Sequence, residues 1–213
     1  MRSKFDEQLA LLNRDLTKMG SLCEEALALA AKALANADGQ TAAKIAPIDS
    51  EIDQMERTIE SLCLKLLLQQ QPVARDLRQI SAALKMITDM ERIGDQASDI
   101  AEIIGFLNGR IGTDAQYICQ MAVAAMRMVT ESVEAYVKRD VAMAEATIQH
   151  DDVVDDLFLK VKESLIQMIS ENPKDGEYAL DLLMIAKYFE RIGDHATNIA
   201  EWVIFSITGQ IVA

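Results

Sequence analysis

Apolar residues recur along this chain at alternating steps of four and three. Phe5, Leu9, Leu12, Leu16, Met19, Cys23, Ala26, Ala30 and Ala33 form one series. Ile48, Ile52, Met55, Ile59, Leu62 and Leu66 form a second, and Ala83, Met86, Met90, Ile93, Ala97, Ile100 and Ile104 a third. Each series draws one apolar stripe along an amphipathic helix. Breakers lie between the stripes: Asn36-Ala37-Asp38-Gly39 after the first and Gln71-Pro72 after the second. The pattern therefore predicts helices over 4–36, 40–70 and 73–105. Pro47, early in the second helix, should kink it or end a first short segment there.

Gly105, Gly109 and Gly112 then fall within one short stretch. They predict a boundary between two domains, residues 1–108 and 113–213. Thr113-x-x-Gln116 is a capping-box pattern and should open a fourth helix, with Ile118, Ala122, Ala125, Val129 and Tyr136 on one face. Lys138-Arg139 suits the negative end of that helix. Asp140 can cap a fifth helix that ends before Glu171-Asn172-Pro173, and a sixth should run from Asp175 to Ile207. Short loops make consecutive helices pack antiparallel. The expected fold is all-α, two tandem antiparallel three-helix bundles.

Composition narrows the picture. Half of the 213 residues are apolar and 26% are charged, which excludes disorder and supplies a core. Three Pro and nine Gly are too few for the turns of an all-β fold. The net charge of −13 repels phosphate backbones and disfavours nucleic-acid binding. Cys23, Cys63 and Cys119 give neither a disulfide framework nor a zinc knuckle, and buried thiols in a reducing cytosol are expected. No signal-peptide h-region and no run of ~18 apolar residues is visible, so a cytoplasmic protein is expected.

The most informative feature is a repeat. Met90-Glu-Arg-Ile-Gly-Asp-Gln-Ala-Ser-Asp-Ile-Ala-Glu102 recurs as Phe189-Glu-Arg-Ile-Gly-Asp-His-Ala-Thr-Asn-Ile-Ala-Glu201, 99 residues later. The halves read as a tandem duplication with a pseudo-twofold relation. Within each copy an acid pair stands one turn apart: Glu91 with Asp95, and Glu190 with Asp194. The first pair continues the line of Leu77, Ile80, Leu84 and Ile87, so it replaces apolar residues on a face that meets another helix. Gly94 and Gly193 lie mid-helix, where glycine costs ~1 kcal/mol against alanine. Room for an ion or a close neighbour would explain them.

The preceding helices carry the same spacing at Asp49 and Asp53, and at Asp151 and Asp155. In an antiparallel pair, residues equidistant from the turn lie side by side. Asp53 with Glu91 and Asp49 with Asp95 both centre on Pro72. Asp155 with Glu190 and Asp151 with Asp194 both centre on Asn172-Pro173. Each half should thus bring four carboxylates to one level, with Asp99 and Asn198 one turn further along. An all-oxygen set suits Mg²⁺, Mn²⁺, Ca²⁺ or iron, leaves Zn²⁺ open, and disfavours Cu⁺ or a structural zinc. The competing reading is a solvated acidic face neutralised by Arg92 and Arg191.

The paired Glu-Arg-Ile-Gly-Asp motifs, the Asp49-x-x-x-Asp53 element and the Gln71-Pro-Val-Ala-Arg-Asp-Leu-Arg78 turn resemble the PhoU family of phosphate-uptake regulators over essentially the whole chain. The resemblance implies two three-helix bundles, often dimeric. It implies metal clusters, iron in some members, held here by Glu91, Asp95, Glu190 and Asp194 with Asp49, Asp53, Asp151 and Asp155. It also implies negative regulation of the phosphate-specific ABC transporter, through its ATPase subunit, and of the phosphate-sensing histidine kinase. The membrane would be met only through those partners. Two departures stand out: Asn198 replaces the acid that the first repeat has at Asp99, and Pro47 precedes Asp49 by two residues.

Two other classes compete. A di-iron oxygenase or ferroxidase uses Glu-x-x-His pairs. Here His150 and His195 are the histidines, and neither has Glu three residues before it. His195 points away from Asp194 and reads as a packing residue. A metal-free helical adaptor is the other. Direct phosphate sensing finds no anion-binding nest in the sequence. The expectation is a non-enzymatic regulator.

Overall fold

The computed structural model describes residues 2–69, 72–107, 109–110 and 115–211. The first stripe folds into α1 (Arg2–Asn36). Ala37 closes it at φ 52°, in the left-handed region, and the Asp38 amide returns to the Ala33 carbonyl. Asp38 then caps α2 (Gly39–Ala42) by accepting from the Gln40 amide at 2.9 Å. The second stripe folds into α3 (Ile45–Gln69), and the third into α4 (Ala74–Phe106). A short first segment is therefore present, as Pro47 suggested. It ends at Ala43-Lys44, and Pro47 itself sits in the first turn of α3, where a missing N–H costs nothing.

Gly105 lies inside α4, Gly109 takes φ 79°, and Gly112 and Thr113 fall outside the described residues. The fourth stripe forms α5 (Gln116–Lys138), which Arg139 ends at φ 55°. Asp140 caps the next helix, accepting from the Met143 amide at 3.1 Å. The single long fifth helix expected there is in fact two, α6 (Val141–Gln149) and α7 (Asp151–Glu171). At the break the His150 amide contacts the carbonyls of both Ala146 and Thr147, so the last turn of α6 tightens. The His150 ring is pinned to Glu131 of α5 at 2.8 Å. A 3-10 turn at Pro173–Asp175 leads into α8 (Gly176–Thr208), which Gly209 ends at φ 80°.

α1, α3 and α4 form one three-helix bundle with α2 at its end; α5, α8 and the α6–α7 pair form the other. The bundles also pack on each other, α4 against α8 and α1 against α5. Leu16, Met19, Ile52, Met86 and Phe189 are fully buried in one continuous apolar core that spans both. α1 packs tightly on α5 at Gly20: a β-carbon there would lie 2.8 Å from a methyl of Val133. Cys23 and Cys63 are buried and Cys119 half-buried; burial pushes the Cys63 thiol up to about 12, so it stays protonated at neutral pH. Among the described residues, no helix is long and apolar enough to cross a membrane.

Candidate metal centre

α3 and α4 run antiparallel on either side of Pro72, which sets the register of their acids. Asp49, Asp53 and Asp95 each present a carboxylate oxygen, and the three oxygens lie within 4.8 Å of one another. Glu91 stands one turn along α4, with Asp95, Glu56 and Asp53 all in electrostatic reach. Arg92 leans over the rim, 2.8 Å from Asp95 and 3.3 Å from Glu91.

The Oδ1 atom of Asp49 is buried and has no hydrogen-bond partner. It rests against Gly94, where the β-carbon of any other residue would sit 2.8 Å from it and 3.0 Å from the Ile52 side chain. The mid-helix glycine is thus the cradle that admits the Asp49 carboxylate. The second half repeats the device: a β-carbon at Gly193 would lie 3.0 Å from Asp151 Oδ1. A buried carboxylate oxygen without a donor needs either a proton or a cation.

The electrostatics record the same demand. Burial, then the charges of Asp95 and Asp53, push the Asp49 carboxyl up, with Ser98 offsetting part of the shift. Burial followed by Asp95 raises Glu91, and burial followed by Glu60 and Asp53 raises Glu56. In the second half, burial followed by Asp194, Asp155 and Glu190 lifts Asp151 to about 6. Asp194 rises through burial and Glu190. Both halves therefore hold close acids that repel one another. A divalent cation would relieve that repulsion, and the donors, all oxygen, fit a hard ion. The fit rests on the orphaned Asp49 oxygen and on the glycine cradles.

The halves differ in detail. Glu56 belongs to the first acidic group, although the sequence motifs did not single it out. Its signal was there: from Asp49 through Asp53 the steps are four and then three, which keeps one helix face. The step that carries Asp49 to Asp151 carries Glu56 to Phe158. There Lys187 lies 5.4 Å above the Phe158 ring and binds both oxygens of Glu190. The cation on the second group is thus Lys187, whereas Arg191 is exposed.

Asp99 and Asn198 are turned toward the contact between α4 and α8. The Asn198 amide donates to Asp89 Oδ1 at 3.0 Å, and His195 meets the same oxygen at 2.8 Å. Asp99 accepts from the Tyr188 hydroxyl, and its charge still reaches Asp49 weakly. Asp89 and Tyr188 are repeat equivalents, so the two polar contacts are related by the pseudo-twofold. Asn198 is committed to Asp89 rather than to the second acidic group. His195 is a packing residue, and His150 is held by Glu131.

Comparison with known proteins bears on this arrangement. The model of the PhoU domain matches twice, over residues 16–104 and 118–203. The chain is 37% identical to the phosphate-specific transport system accessory protein PhoU homolog of Clostridium acetobutylicum, over 99% of this chain and 97% of that one. It superimposes on the crystal structure of PhoU from Pseudomonas aeruginosa with a TM-score of 0.93, at 34% identity, covering 97% of this chain and all of that one. The phosphate transport system regulatory protein PhoU from Streptococcus pneumoniae gives a TM-score of 0.89 at 26% identity, covering 98% and 99% of the two chains.

Proposed function

The chain belongs to the PhoU domain family, and from that premise we propose that it is an accessory regulator of phosphate-specific transport that holds metal ions in its two acidic groups. Asp49, Asp53, Glu91 and Asp95, with Glu56, would hold the first ion or cluster. Asp151, Asp155, Glu190 and Asp194 would hold the second. When bound, the cation supplies positive charge that cancels carboxylate repulsion and ties α3 to α4 and α7 to α8. Iron follows from the family resemblance; Mg²⁺, Mn²⁺ and Ca²⁺ suit the same oxygens. The observation that carries the metal reading is the convergence of Asp49, Asp53 and Asp95 around a buried, unpartnered oxygen.

The regulatory reading rests on the names and full-length similarity of the relatives. In it the helical surface acts by contact with the transporter's ATPase subunit and with the phosphate-sensing kinase, in the cytoplasm, as a homodimer. No reaction is assigned to the acidic groups.

Metal content of protein purified without chelator or nickel resin, measured by mass spectrometry, tests the first part. Wild type should carry near-stoichiometric metal, and Glu91→Ala/Asp95→Ala should lose the share of one site. No metal in either protein after reloading would overturn the metal reading. Deletion in the host should raise phosphatase expression and phosphate uptake in phosphate-rich medium, and unchanged levels of both would overturn the regulatory reading.

A further inference from the structure

A cavity of about 440 Å³ opens where the two bundles meet, and its lining is unlike the rest of this acidic molecule. Asn13, Arg14 and Thr17 reach it from α1, Gln79 from α4, Tyr136 and Val137 from α5, Arg139 from the end of α5, and Ser206 from α8. Two of these residues are arginines and none is acidic, in a chain with 34 acids. Neither Arg14 nor Arg139 is paired with a carboxylate among the described residues. Arg139 stands at the negative end of α5, and one cation suffices to offset a helix terminus. Arg14, on another helix, is surplus to that need.

The polar floor is oriented. Asn13 Oδ1 accepts from the Gln79 amide at 2.9 Å and from the Tyr136 hydroxyl at 2.7 Å. Both donors fix the Asn13 amide, so its Nδ2 is the atom left to donate. Tyr136 is a neutral phenol at physiological pH, and burial raises its pKa further, to about 12. Beside the cavity, Arg78 packs against Gly209, and its buried Nε has no partner.

We infer that this cavity binds a phosphoryl-bearing anion, with Arg14 and Arg139 as the charged clamps and Asn13 Nδ2 as a neutral donor. Two guanidinium forks match a tetrahedral dianion in charge and in donor number, whereas a single carboxylate would leave one arginine unneutralised. The volume exceeds that of inorganic phosphate and reaches the range of small-molecule sites. Free phosphate and a mononucleotide such as AMP share the recognised group. Such an anion would touch both bundles at once and lock their packing. Gln79 and Asp95 are sixteen residues apart on α4, which places the cavity about 24 Å along the helix from the first acidic group. Metal and anion occupancy are therefore separable.

Isothermal titration of the full chain with inorganic phosphate and, separately, with AMP tests the inference. Chelating resin removes metal beforehand, so that anion–metal contacts contribute nothing, and an untreated sample is run in parallel. One-to-one binding is expected with at least one of the two anions, and the tighter one identifies the source. Arg14→Gln/Arg139→Gln should weaken it tenfold or more while leaving the circular dichroism spectrum unchanged and lowering Tm only by the small share that a cation at the end of α5 supplies, since both side chains are exposed. Arg14→Lys/Arg139→Lys should recover part of the affinity, because charge without the fork remains. No saturable binding of either anion at millimolar concentration, or binding that the double Gln variant leaves intact, overturns the inference.

Discussion

Gly94 and Asp49 form a pair whose logic is steric. Replacing Gly94 by alanine should gain ~1 kcal/mol of helix propensity. The added carbon would nevertheless press on a carboxylate and on Ile52, both held in a packed helix contact. The expected net result is lower thermal stability and reduced metal content, read by thermal melts and mass spectrometry. Gly193→Ala should have the weaker effect, because only Asp151 Oδ1 comes as close as 3.0 Å and the Val154 methyls stay at 3.6 Å or beyond. Asp151 gives a second test. Its carboxyl stands at about 6 in the fold against 3.8 ordinarily, so the folded chain binds the proton more tightly than the unfolded one. Its contribution is present at low pH and is lost as pH rises from about 4 through about 6. Metal-stripped protein should accordingly melt at a higher temperature at pH 5 than at pH 7.5, and Asp151→Asn should flatten that slope.

At the scale of helices, the register of α3 on α4 was legible because one turn, at Pro72, fixes it: a chain folding back on itself leaves no freedom to slide Asp49 past Asp95. What α4 meets on its other side was not legible. Asp99 lies on α4 between the face turned to α3 and the face turned to α8, and the periodicity of one helix does not say which neighbour wins. The contact with α8 decided it, drawing Asn198 to Asp89 and Asp99 to Tyr188. The break at His150 was hidden for another reason: Ile148-Gln149-His150-Asp151 contains no glycine or proline, and the residue that meets the ring at the break, Glu131, lies nineteen residues earlier. The contact of α1 with α5 can be tested directly. Gly20→Ala should destabilise the protein by about 1 kcal/mol after its gain in helix propensity is counted. Val133→Ala should make room for that methyl, so urea denaturation of the double variant should show a loss smaller than the sum of the single ones.

Over the whole molecule, the packing predicts that the two halves of the duplicated sequence unfold together. The core runs through both bundles, and α4 and α8 bury apolar faces against each other. Calorimetry should show a single unfolding transition, with equal calorimetric and van't Hoff enthalpies, rather than two. Two resolved transitions would mean that the halves fold independently. The shared core also bears on descent. Duplication ordinarily frees one copy to drift, since the other retains the original role. Here each copy walls in the other, so neither can decay without exposing its sibling's interior. Divergence within that wall exchanges apolar residues for apolar ones, Met86 and Met90 in one half standing where Ile185 and Phe189 stand in the other, while Glu56 against Phe158 and Asp99 against Asn198 change the polarity. A single repeat on its own would leave its side of that wall open to water, and what covers it in this fold is the second copy.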